Sequence, residues 1–131
     1  MIKHTIDVYW NGVIKYIEEN GDDIPEKPGV YEILVKTDDG KHNRKYIGQS
    51  DDLNDRFFSH QSDQEENEHI KNGLKKYYCG FDYALLDSEE DRKDAEQKIY
   101  DKYGHPWNKQ RPEGSGRDFD IEVIEHNPGE D

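Results

Sequence analysis

The chain has 131 residues, with 31 Asp and Glu against 18 Lys and Arg, for a formal net charge of −13. That length suits one domain, and no apolar run approaches the roughly 18 residues that would span a bilayer. Leu, Ile, Val and Phe make up about a fifth of the chain, near the ~20% level below which a highly charged sequence stays unfolded. Nine Tyr and two Trp act against disorder, because amphipathic rings can build a thin core.

The first residues, Met1 to Asp7, lack the continuous apolar stretch of a signal peptide. A lone Cys79 cannot form a disulfide framework or a thiolate metal site. A reduced, cytoplasmic protein is therefore expected. The acidity opposes non-specific attraction to nucleic acid, which rests on neutralising phosphates.

In chain order, residues 2–10 alternate, with Ile2, His4, Ile6, Val8 and Trp10 on one face. Asn11-Gly12 and a second apolar run, Val13 to Ile17, follow and predict a hairpin closed by a type I′ turn. The second run could equally form a short helix ending near Gly21. Residues 22–28 form a proline-bearing connection.

Val30 to Lys36 reads as a strand with Tyr31, Ile33 and Val35 on one face; a polar loop with Asp39-Gly40 leads to a second strand, Lys45 to Ser50. Ser50, Asp51 or Asp52 can cap a helix carrying Leu53, Phe57 and Phe58. A second helix is expected over 65–78 and a third strand over 81–87. Ser88 opens a helix with Ala95, Ile99, Tyr100 and Tyr103 on its apolar side, ended by Gly104 and Pro106. A Pro/Gly-rich loop and a strand over 119–124 complete the chain. The fold class is α+β: a small antiparallel sheet of three core strands, about three helices, and extra strands at both ends. The expected organisation is an extension over 1–28, a core domain over 29–110 and a loop-and-strand extension over 111–131.

Several polar residues fall at positions that can converge. Tyr31 and Tyr46 lie on neighbouring strands. Arg56 and His60 are four apart on one helix. Glu96 follows the apolar Ala95, and Asn108 follows a Pro-Trp pair. Taken singly, each has an ordinary structural role: core tyrosines, a solvated helix face, a surface acid, a turn residue.

Together, Gly29-Val30-Tyr31, Tyr46-Ile47-Gly48, Arg56, His60, Glu96 and Asn108 resemble the GIY-YIG nuclease family, with Val30 in place of Ile. The resemblance covers about Gly29 to Asn108. It implies a metal-dependent endonuclease acting on DNA. Glu96 would hold one Mg²⁺ or Mn²⁺, and Arg56 would neutralise charge on the phosphate oxygens. Tyr31 is the expected activator of the attacking water, with Tyr46 and His60 positioning it or relaying protons. Asn108 would hold the Glu96 region or the phosphate.

Basic side chains cluster at Lys41, Arg44 and Lys45, at Lys71, Lys75 and Lys76, and at Lys109, Arg111 and Arg117. The first and last clusters flank the site in sequence and are expected to form a basic strip for DNA, carried by Lys41, Arg44, Lys45, Lys109 and Arg111. The acidic run Asp63 to Glu68 reads as a solvated helix start. The other histidines lack metal-ligand spacing. No separate DNA-reading module is evident: either a homodimer or partner subunit supplies specificity, or specificity is low, or it comes from the loops and terminal strands. Two further classes compete: a non-cleaving binding domain that keeps the fold, and an acidic interaction protein supported by charge alone.

Overall fold

The computed structural model describes residues 1–129. It is an α+β domain, as the sequence predicts. The elements are β1 (Ile2–Tyr9), β2 (Ile14–Lys15), a 3₁₀ helix (Glu18–Asp23), β3 (Gly29–Lys36), β4 (His42–Ser50), α1 (Leu53–His60), α2 (Glu68–Lys76), β5 (Cys79–Leu85), α3 (Glu89–Tyr103) and β6 (Phe119–His126). No helix among the described residues is long and apolar enough to cross a membrane.

The central sheet has the order β2-β5-β3-β4, with β3 antiparallel to both β4 and β5. The expected three core strands are present, and the short β2 adds a fourth. Strand alternation gives this sheet two apolar faces. On one, Tyr31, Ile33, Val35 and Phe81 pack against Leu53 and Phe57 of α1, Ile70 of α2, and Trp107. On the other, Val30, Ile47 and Ala84 meet Ala95 and Ile99 of α3, together with Ile6, Val8 and Trp10.

The expected terminal hairpin does not form. β1 pairs with β6 instead, in parallel, from Ile2↔Phe119 to Tyr9↔His126. Asn11-Gly12 is the joint where the chain leaves this pair and crosses to the central sheet. Gly12 has φ +110 and its N–H donates to the Asp82 carboxylate, while the Asn11 N–H donates to Tyr83 O. A positive φ is the demand that selects glycine there. β1 and β6, one from each extension, thus form one layer, while β2 joins the central sheet and the residues after it form the 3₁₀ helix.

Capping explains the helix limits. Asp52 accepts from the Asp55 N–H, and Ser88 accepts from the Asp91 N–H. Gly104, at φ +68, ends α3 in the left-handed conformation. α2 begins only at Glu68, because Asn67 caps it through the His69 and Ile70 N–H groups. It ends before Tyr77 and Tyr78, which are exposed. The Gly114-Ser115-Gly116 loop is anchored, since the Ser115 N–H and hydroxyl both bond to Asp94.

Removing residues 118–131 should leave β1 without a partner. Hydrogen exchange should then show protection lost at Ile6 and Val8 but kept at Ile33 and Ile47. Uniform loss would show that the central sheet cannot hold without this layer.

Candidate active site

β4 is an edge strand, and the motif residues gather along it. Gly48 lies opposite Tyr31 in the register. A side chain on Gly48 would collide with the Tyr31 ring and hydroxyl, so this glycine lets the tyrosine lie flat across the sheet. Tyr31 is fully buried, and its hydroxyl lies 2.7 Å from Nε2 of His60. Nδ1 of His60 lies 2.7 Å from a carboxylate oxygen of Glu65.

A carboxylate can only accept a hydrogen bond, so Nδ1 carries the proton and Nε2 accepts from the tyrosine. Tyr31, His60 and Glu65 form a directed chain. Burial holds His60 below the ordinary imidazole range, with the Glu65 hydrogen bond opposing. Burial also pushes the Tyr31 phenol well up, although Arg56 opposes it.

Tyr46 completes the aromatic group, with ring centroids 6.0 Å from Tyr31 and 5.5 Å from His60. It is only partly buried. Burial raises its phenol, while Arg56 and a hydrogen bond with Tyr31 offset part of that rise. Arg56 interacts with both tyrosines, and its buried Nε has no hydrogen-bond partner among the described residues. Glu96 approaches from α3. Its carboxyl is pushed up to about 7, chiefly by burial, with Arg56 and Lys93 opposing.

Among the described residues, no group of three His, Cys, Asp or Glu could hold a metal ion. Glu96 is the one motif residue that could bind one. Its donor set suits a hard cation completed by water and phosphate oxygens, and a half-buried carboxyl without a bonded partner has reason to accept one.

Asn108 bonds to the backbone of β4. Its side-chain oxygen accepts from the Ile47 N–H at 3.0 Å, and its amide donates to Ile47 O at 2.9 Å. It therefore completes the edge of β4 as a neighbouring strand would. The Trp107 N–H donates to Lys45 O beside it, and Asn67 donates to Trp107 O. Asn108 thus positions the strand that carries Tyr46.

Two residues of the expected basic strip, Arg44 and Arg111, are engaged in ion pairs. Arg44 lies 2.7 Å from Glu32 and 3.3 Å from Glu125, with its guanidinium 3.8 Å from the Tyr103 ring centre. Arg111 forms a two-point pair with Asp101, and Arg117 pairs with Asp91 and Asp94. Lys109 donates to Glu66 O. Lys45 sits at the register shift opposite Ile33/Leu34, and Lys41 is exposed in the loop before β4.

Glu65 and Arg92 are the site residues that the sequence did not point to. Glu65 sits in the acidic run expected to be solvated, yet its side chain is 13% exposed and turned inward to His60. Arg92, one helical turn before Glu96, is buried.

No protein-family model matches the chain, and no curated protein sequence matches it. The family resemblance rests on the motif residues themselves.

Two outcomes check these electrostatics. Charging Glu96 is costly in the fold and cheap in the unfolded chain, so its contribution falls as pH rises from about 4.5 to about 7. Glu96→Gln should therefore stabilise the metal-free protein by about 2–3 kcal/mol at pH 8, with little gain at pH 4, measured by urea unfolding. Arg44→Ala should cost about 3 kcal/mol by leaving the Glu32 charge buried, and Glu32→Gln added to it should recover part of that loss.

Proposed function

We propose that the chain is a metal-dependent DNA endonuclease of the GIY-YIG type, hydrolysing a phosphodiester at the edge of β4. The observation that carries this reading is convergence. Tyr31, Tyr46, Arg56, His60 and Glu96 come from four separate elements and interact around one position. No carboxylate among the described residues forms an ion pair with Arg56, and a scissile phosphate would supply that anion.

Tyr31 is enclosed, so the water-activating role passes to the pair of tyrosines. Water attacks phosphorus and gives its proton to the Tyr46 hydroxyl. Tyr46 passes its own proton to Tyr31, and Tyr31 passes one to Nε2 of His60. Glu65 stabilises the resulting imidazolium, as a carboxylate orients histidine in other proton relays. The chain moves a proton without requiring a free phenolate, which burial disfavours.

Arg56 neutralises the non-bridging oxygens as negative charge builds. Glu96 would hold one Mg²⁺ or Mn²⁺, and such an ion, when bound, polarises the phosphate and steadies the leaving oxygen. Because Arg44, Arg111 and Arg117 are committed to ion pairs, a partner subunit or a second copy would supply target selection.

Supercoiled plasmid incubated with Mg²⁺ or Mn²⁺ tests the proposal. The wild-type chain should nick or linearise it, Glu96→Gln should be at least about a thousandfold slower, and Tyr46→Phe about a hundredfold slower. Activity should fall on acidification as His60 becomes protonated. Cutting that persists in Glu96→Gln overturns the proposal, and no cutting by the wild type would favour a non-cleaving binding domain.

A further inference from the structure

A cleft of about 510 Å³ opens beside the catalytic group and is lined by Gln49, Ser50, Asp51, Asp55, Arg56, Glu89 and Arg92. Arg92 is only 5% exposed, which is rare for an arginine without an acidic partner. Its Nε donates to Gln49 Oε1 at 3.1 Å, and Nη1 donates to Leu86 O and Asp87 O. These acceptors are neutral, so they fix the guanidinium plane without cancelling its charge. Nη2 has no hydrogen-bond partner among the described residues, and Arg92 lines the cleft.

The cleft thus holds two guanidiniums, of Arg56 and Arg92, and neither is matched by a carboxylate within ion-pairing range. Burying an unmatched charge is expensive. Here one such guanidinium, Arg92, is buried and the other, Arg56, is half-buried in the same cleft, an arrangement that suits an anion with two centres of charge. Arg92 and Glu96 are four apart on α3, so they share a face about 6 Å apart along the axis. That is the scale of one nucleotide step along a strand.

We propose that Arg92, held by Gln49, binds the phosphate next to the scissile one, so that the cleft grips two successive phosphates of a single strand. This deepens the nuclease reading and rests on it for the placement of the first phosphate at Arg56. The remaining lining carboxylates, Asp51, Asp55 and Glu89, are all exposed. They repel a lone anion that cannot reach both guanidiniums, so affinity should depend on a pair of correctly spaced phosphates.

Thymidine 3′,5′-bisphosphate, thymidine 5′-monophosphate and inorganic phosphate are the probes, titrated into the intact chain by calorimetry, with NMR of the arginine Nε–H signals. The bisphosphate should bind at least tenfold tighter than either single phosphate and should shift the Arg92 signal. Two variants separate binding from folding. Arg92→Gln removes the charge. Gln49→Glu keeps the bond to Nε but places a carboxylate against the guanidinium, so the fold is retained and the anion site is cancelled. Both should lose the bisphosphate advantage while keeping monophosphate affinity within about twofold.

An advantage that survives in Gln49→Glu, or is absent in the wild type, overturns the subsite. Plasmid cleavage run in parallel keeps the two ideas apart. Cutting without a bisphosphate advantage leaves the nuclease reading and removes the subsite. A bisphosphate advantage without cutting keeps the two-phosphate grip and removes the hydrolysis.

Discussion

Glu32 lies in the interior strand β3 at 2% exposure, and its carboxylate is held by Arg44 at 2.7 Å and by His105 at 2.6 Å. Placing a carboxylate there costs several kcal/mol unless its partners are in position. Those partners come from everywhere. Arg44 is on β4 and also reaches Glu125 on β6, and Glu125 accepts in turn from Trp10 beyond β1. His105 begins the turn that carries Trp107 and Asn108. One buried charge therefore requires the edge strand, the terminal strand pair and the loop after α3 to be present together.

That requirement bears on the site through the next residue in sequence. Tyr31 follows Val30 and precedes Glu32, so the strand presents the tyrosine to one face and the carboxylate to the other. Glu32 fixes β3 against β4 from behind while Tyr31 meets His60 in front. The loop that His105 anchors delivers Asn108 to Ile47, which keeps the edge of β4 straight beside Tyr46. Rigidity at the candidate site comes in part from the opposite face of the sheet, where the Glu32 carboxylate ties β3 to β4 and to the loop after α3.

The central elements were legible because their signals are local. Alternation marked β3, β4 and β5, and side-chain caps marked α1 and α3. The parallel β1–β6 pair was not legible, since no short-range pattern specifies a partner more than a hundred positions away, and Asn11-Gly12 serves a crossing as well as a hairpin. Tyr31, Tyr46, Arg56, His60 and Glu96 could be found as a set in the sequence and do come together. Glu65 could not, because a carboxylate within an acidic run shows nothing of the one inward turn that selects it. The ion pairs that take up two members of the expected basic strip were hidden for the complementary reason. Counting Lys and Arg ignores which acids the fold brings alongside, and here Glu32, Asp101 and Asp94 take up Arg44, Arg111 and Arg117.

The β1–β6 pairing has a consequence for biosynthesis. Ile6, Val8 and Trp10 are made early, yet the strand that pairs with theirs is made more than a hundred residues later. At ribosomal rates that interval is roughly 6–20 s. During it the nascent chain carries an unpaired strand with three large apolar side chains. The central sheet can assemble meanwhile, and β1 must wait for β6 to emerge. Exposure to chaperones and to neighbouring nascent chains is thus longer for β1 than for the central strands, whose partners follow sooner.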